Sequence, residues 1–376
     1  MVDCRFYVDQ PSAPPYITIM VTSSGLDSVV FADTAISHVD GDAGRLVIAG
    51  FDVEQLATTC SYEDAARRVI EAGGGELGML GPARVAAWQM LPQLGDALAA
   101  QDAMDALRAA LAHMHSTGRS PALASGDDLR DAVAVIGAAP VFVAAWGRLR
   151  AGKTPLAPDP AAGQAADYLR MSTGAATDAT ARALEAYLVT VIDHGMNAST
   201  FTARVITSTA SDLVSATVGA VGALKGPLHG GAPGPVLDML DAIGEPAKAE
   251  AWLLGELAAG RRIMGMGHRI YRVRDPRAAV LETAVKPLAS PRLELARAVE
   301  QAAAKILRER KPDRPLAANV EFYTAVLLDA VGLPREQFAA TFAVGRMAGW
   351  CAHVLEQRRV GRLVRPASRY VGPMPS

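Results

Sequence analysis

Aromatic side chains make up only 5% of the 376 residues, and cysteine occurs three times, at Cys4, Cys60 and Cys351. Three thiols cannot all pair, and no CxxC spacing joins them, which argues against a disulfide framework or a zinc site and for a reducing compartment. Scarce aromatics and alanine runs such as 98–100 and 302–304 argue against an extensive sheet, because strands favour aromatic and β-branched side chains while helices favour alanine. An excess of charge is also lacking. The 37 basic residues nearly balance the 39 acidic ones, for a net charge of −2, so no overall field attracts nucleic-acid backbones or anionic lipid. The longest uncharged run, 132–147, contains Pro140 and falls short of the roughly 20 residues that span a bilayer. No basic stretch followed by an apolar one opens the chain, so no signal peptide is expected. A cytoplasmic protein with neither nucleic acid nor membrane as partner is expected.

What is present is a large apolar inventory. Half the residues are hydrophobic and 20% are charged, ample for one large core or two domains and incompatible with disorder. Residues 1–50, with Pro11, Pro14, Pro15 and β-branched runs at 17–22 and 28–31, read as a short β-rich or irregular segment. From Ser61 onward helical spacing dominates. Leu184, Tyr187, Leu188, Val191 and Ile192 line one face of a helix over 181–194, with His194 at its C-terminal end. Residues 199–224, nearly free of charge and rich in small side chains, predict one enclosed helix. Gly226, Pro227, Gly230, Gly231, Pro233, Gly234 and Pro235 then mark the sharpest break in composition and a plausible domain boundary. Further helices are expected at 246–259, 276–286, 292–310, 320–331 and 335–359, with an extended tail from Arg365.

Two motifs carry no chemistry. Gly147, Gly152, Lys153 and Thr154 fit GxxxxGK[ST], but the preceding run looks helical, and Pro155, Pro158 and Pro160 would break a helix opening at the lysine. His113 and His115 are two positions apart and would point in nearly opposite directions from a helix. The second half differs. His194 with Asn197, His229 in GPLHGGA, His268 in GMGHRIYRVRDPR, and Asn319 with Glu321 before an apolar helix interrupt the apolar pattern. Each alone reads as a turn or cap residue. Together, three imidazoles, a carboxylate and several arginines at glycine-bounded positions suit acid and base chemistry on an anionic substrate.

GPLHGGA at 226–232, GHRIYRVRDPR at 267–277, NVEFYTAVLLDAVGLP at 319–334, FAVGRMAGWCAHVLEQ at 342–357 and NASTFTARV at 197–205 together resemble citrate synthases. Residues 25–57 are similar to that family's opening segment, so the likeness is nearly end to end. It implies an all-α, two-domain helical fold: a large domain over 1–229, a small one over 230–334 that closes over the substrates, and a return to the large domain over 335–376. It implies a homodimer that condenses acetyl-CoA with oxaloacetate and water to citrate and CoA. No permanent cofactor or metal is implied, and a coenzyme A thioester serves as co-substrate.

Carried over residue by residue, the resemblance makes Glu321 the base, His229 the donor to the thioester oxygen and His268 the donor to the ketone of oxaloacetate. His194, Arg277 and Arg346 would bind oxaloacetate, Arg365 would reach the neighbouring subunit's site, and Gly265, Met266, Gly267 and Arg272 would meet CoA. The chain departs from the family's usual pattern at Glu321, where aspartate is common, and at Ala318, Pro233, Gly195, Ile48 and Ala49. Two other readings stay open: a 2-methylcitrate synthase using propionyl-CoA, and a weakly active or non-catalytic binder of CoA or a dicarboxylate.

Overall fold

The computed structural model describes residues 26, 29–116, 127–229, 233–310 and 316–375. Cys4, the run at 17–22, the side chain of His115, and Gly230 and Gly231 of the glycine-rich break lie outside these residues. Two compact units are present, Met1–Thr34 and Ala35–Ser376, and everything below concerns the second.

The second unit opens on a small antiparallel sheet and is otherwise helical, as the composition predicts. Strands Ser37–Asp40, Arg45–Ile48 and Phe51–Asp52 pair in chain order, with Ser37 opposite Ile48 and Asp40 opposite Arg45. Alternation along the middle strand turns Leu46 and Ile48 into the core. At the centre stands the helix Asp128–Arg150, started by Asp127, whose Oδ1 accepts the Leu129 N–H at 3.0 Å. It runs unbroken past Pro140, longer than its uncharged stretch suggests. It is long and apolar enough to cross a membrane, yet 78% of its most apolar window is buried inside the fold, as in a core helix. Gly152, Lys153 and Thr154 follow this helix rather than opening one, so the phosphate-loop pattern lacks its geometry.

The expected single helix over 199–224 is in fact two, Ala198–Ser208 and Leu213–Leu224. Between them Ala210 takes a positive φ of 66°, and Asp212 restarts the helix by accepting the Ser215 N–H at 2.7 Å. A capping aspartate outweighs the continuous apolar pattern. The helix expected to carry His194 at its end stops at Thr190, so His194 lies in the turn beyond. A helix unforeseen in the proline-rich stretch, Pro233–Ile243, starts on a proline, whose missing N–H costs nothing in a first turn. Helices Ala249–Ala258, Pro276–Val285, Arg292–Arg310, Val320–Ala330 and Phe338–Val360 fall where the spacing puts them, and the tail beyond is exposed and without helix or strand.

Candidate active site

The helix Val320–Ala330 begins on Asn319, whose Oδ1 accepts the Glu321 N–H at 3.0 Å while its Nδ2 donates to the Gly267 carbonyl at 2.9 Å. One asparagine therefore starts the helix and ties it to the segment preceding His268. That segment pairs with residues 317–319: the Gly267 N–H donates to the Ala317 carbonyl at 2.7 Å, and the Asn319 N–H to the Gly265 carbonyl at 3.0 Å. Gly265 and Gly267 have φ of 73° and 88°, and a Cβ at Gly265 would come within 2.9 Å of the Phe322 side chain. Positive φ and close approach together require glycine here. Glu321 is held in the first turn with its carboxyl buried and its Oε2 without a hydrogen-bond partner.

His268 accepts two backbone N–H groups on Nδ1, from Ile270 at 3.0 Å and Tyr271 at 3.1 Å. Its single proton in the neutral form therefore sits on Nε2. The loop is braced from the sheet, where the Gly41 carbonyl accepts the Arg272 N–H at 2.9 Å. The same hairpin braces the His194 turn, since Ser37 Oγ donates to Asp193 Oδ2 at 2.5 Å and accepts the Gly195 N–H at 2.9 Å. The rings of His194 and His268 stand edge to face, 5.5 Å apart.

His229 follows the helix Leu213–Leu224 and reaches back to Ser199, whose Oγ lies 2.9 Å and whose N–H lies 3.4 Å from its Nε2. A backbone N–H aimed at Nε2 makes that nitrogen the acceptor, which leaves the neutral ring's proton on Nδ1. Trp350 Nε1 donates to the same Ser199 hydroxyl at 3.1 Å and fixes it from the far side.

Arg277 and Arg346 are buried and set the field. The fork of Arg277 is already engaged, with Nε and Nη2 on the two oxygens of Asp275 at 3.0 and 2.8 Å. Arg346 donates from Nε to the Val191 carbonyl at 2.6 Å and lies over the Phe342 ring at 4.9 Å. Burial and then the neighbouring arginines press His194 well below its usual range. Burial and then Arg346 bring His229 to about 4, and burial and then Arg277 do the same to His268. Glu321 moves the other way, to about 7, because burial outweighs the attraction of Arg277 and Arg346 while Asp275 adds repulsion. Burial lowers Arg346 to about 10, which leaves it cationic at neutral pH. The result is three neutral imidazoles and a half-ionised carboxyl that share the field of two buried arginines.

Arg277 thus links sequence positions 194, 268, 321 and 346, and His229 joins them through Arg346. Arg365 does not: it is exposed in the tail. Arg272 is exposed at the loop edge, and Met266 is half-buried between the two glycines. Sequence reasoning missed Asp275, Ser199 and Tyr271. Asp275 was within reach, because aspartate before Pro276 is a helix start, and it does accept the Arg277 N–H at 3.0 Å.

The chain is similar to known proteins. The family model described as citrate synthase, C-terminal domain, matches residues 25–367. A Mycobacterium tuberculosis protein provisionally named citrate synthase 2 is 41% identical over 360 residues, which covers 93% of each chain. The 2-methylcitrate synthase of the same organism is 34% identical over 363 residues, 93% of this chain and 90% of that one. The citrate synthase of Thermoplasma acidophilum, solved as a ternary complex with carboxymethyl coenzyme A and oxaloacetate, superposes with a TM-score of 0.82 at 27% identity, covering 94% of this chain and 96% of that one. With the match running nearly end to end and the fold shared, the chain belongs to the citrate synthase family of acyltransferases.

Proposed function

We propose that the protein is a citrate synthase, joining the methyl carbon of acetyl-CoA to the ketone carbon of oxaloacetate and hydrolysing the resulting thioester to citrate and CoA. The observation that carries this reading is the Glu321 carboxyl: buried, with an unpartnered oxygen, and brought to about 7, where a base at neutral pH works best. Glu321 takes a methyl proton, and the electrons move onto the thioester oxygen, which receives the His229 Nδ1–H. The enol carbon attacks the ketone as His268 Nε2–H donates to its oxygen. Water then cleaves the C–S bond, and CoA leaves as the thiol. Both histidines serve as neutral donors, which their low values and fixed tautomers allow. Arg277, Arg346 and His194 receive the two carboxylates. Because the fork of Arg277 already grips Asp275, its remaining N–H groups do this work.

The exposed position of Arg365 fits our reading that it completes the neighbouring site in a homodimer, as Arg272 with the 265–267 segment fits contact with CoA. The division into a large domain and a closing small domain of 230–334, and a cytoplasmic setting, belong to the same reading. The 34% identity to a 2-methylcitrate synthase favours propionyl-CoA as the second candidate. One methyl group is worth about 1–3 kcal/mol in a pocket, so the two activities differ by degree. Thiol release is the test. We expect release from acetyl-CoA only with oxaloacetate present, at higher kcat/KM than from propionyl-CoA. The reverse ranking makes the chain a 2-methylcitrate synthase, and oxaloacetate binding without release from either thioester defeats both.

A further inference from the structure

Tyr271 is buried inside the site but has no part in the chemistry above. Its hydroxyl lies 3.1 Å from His194 Nε2. Its ring centroid is 4.8 Å from that of His268 and 5.6 Å from that of His194, and the Arg277 guanidinium lies 5.9 Å from the ring. Its backbone N–H is one of the two that fix the His268 tautomer. One residue therefore governs both imidazoles on the oxaloacetate side.

The direction of the hydroxyl bond follows from the partners. Burial raises the Tyr271 phenol above its ordinary range, so it keeps its proton, while His194 is held neutral and offers a bare ring nitrogen. A neutral imidazole nitrogen is a better acceptor than a phenol oxygen, so Tyr271 donates and Nε2 accepts. The one proton of His194 must then sit on Nδ1.

We propose that Tyr271 is a positioning residue for the keto-dicarboxylate: its hydroxyl, bonded to His194 Nε2, fixes the ring angle and the Nδ1–H tautomer with which His194 meets the substrate. This rests on the oxaloacetate reading of the site. The phenol stands behind the imidazole as a carboxylate does behind other catalytic histidines, but without adding negative charge where a dianion must bind.

The test is a double-mutant cycle with Tyr271→Phe and His194→Gln, read as KM for oxaloacetate in the thiol-release assay. Tyr271→Phe keeps the ring and loses one hydrogen bond, so we expect KM to rise about fivefold to tenfold, with a smaller effect on kcat. In the His194→Gln background the same change should move KM less than twofold, because the group it acts through is gone. An equal rise in both backgrounds, or none in either, overturns the proposal. Nitrogen-15 NMR of histidine-labelled, unliganded wild-type protein gives a readout that needs neither activity nor the variant. A His194 signal of the Nδ1–H form supports the proposal, and an Nε2–H form overturns it. Should thiol release be absent altogether, the functional reading fails while the tautomer measurement still decides the role of Tyr271.

Discussion

The protein buries two groups of charges side by side, and they are treated in opposite ways. Behind the His194 turn, Arg204 pairs with Glu356 and donates from Nη1 to Gln357 at 3.1 Å and from Nη2 to His353 Nδ1 at 2.8 Å. His353 passes its Nε2–H to Asp193 at 3.1 Å, Asp193 receives Ser37, and Glu356 receives the Ala35 N–H at 2.9 Å. Since arginine can only donate, the tautomer of His353 is fixed and each group has a partner. Glu321 is buried too, yet one of its oxygens has none. Completed networks hold a fold rigid, while an uncompensated buried carboxyl costs stability and persists where chemistry uses it. The first cluster shapes the turn that precedes Gly195 and carries His194; the second is where we propose that the proton moves.

Breaking each cluster should separate the two roles. Glu321→Gln removes the base but not the shape, so we expect thiol release to fall by roughly 10³-fold or more, within the range for loss of general-base catalysis. Stability should not fall with it at pH 8. The unfolded chain releases this proton near 4.5 and the folded chain near 7, so between those values the folded form holds the extra proton and rising pH erodes stability. The wild type carries that full cost at pH 8 and the variant carries none of it. Thermal melts of both proteins at pH 8 check this. Arg204→Ala should do the reverse, leaving Glu356 buried without its cation and costing about 3–5 kcal/mol in denaturant unfolding. A severe loss of stability in the first variant, or none in the second, would erase the distinction.

The helical architecture was legible because apolar spacing and caps agree over most of the second half, as at 276–285 and 320–330. It misled at 199–224, where one capping aspartate overrode a long apolar run, and at 233–243, where prolines suit a helix start but read as a break. In the site, the carboxylate and the histidines could be named because each interrupts a pattern, and the resemblance to citrate synthases added Arg277 and Arg346. Tyr271 could not, since a tyrosine in an arginine-rich loop carries no spacing that marks it. Nor does spacing tell that Arg277 spends its fork on a residue two positions away. Helix caps are legible from spacing, and side-chain pairings such as these are not.

The central claim is that the unpartnered carboxyl of Glu321 takes the substrate proton, and the dependence of kcat/KM for acetyl-CoA on pH, at saturating oxaloacetate, tests it most directly. His229 and His268 titrate near 4 and stay silent above pH 5, so one ionisation should govern the profile. Activity is predicted to rise tenfold per pH unit up to about 7 and then level off. A profile that is flat from pH 5 to 9, or one that falls as pH rises through 7, would contradict it.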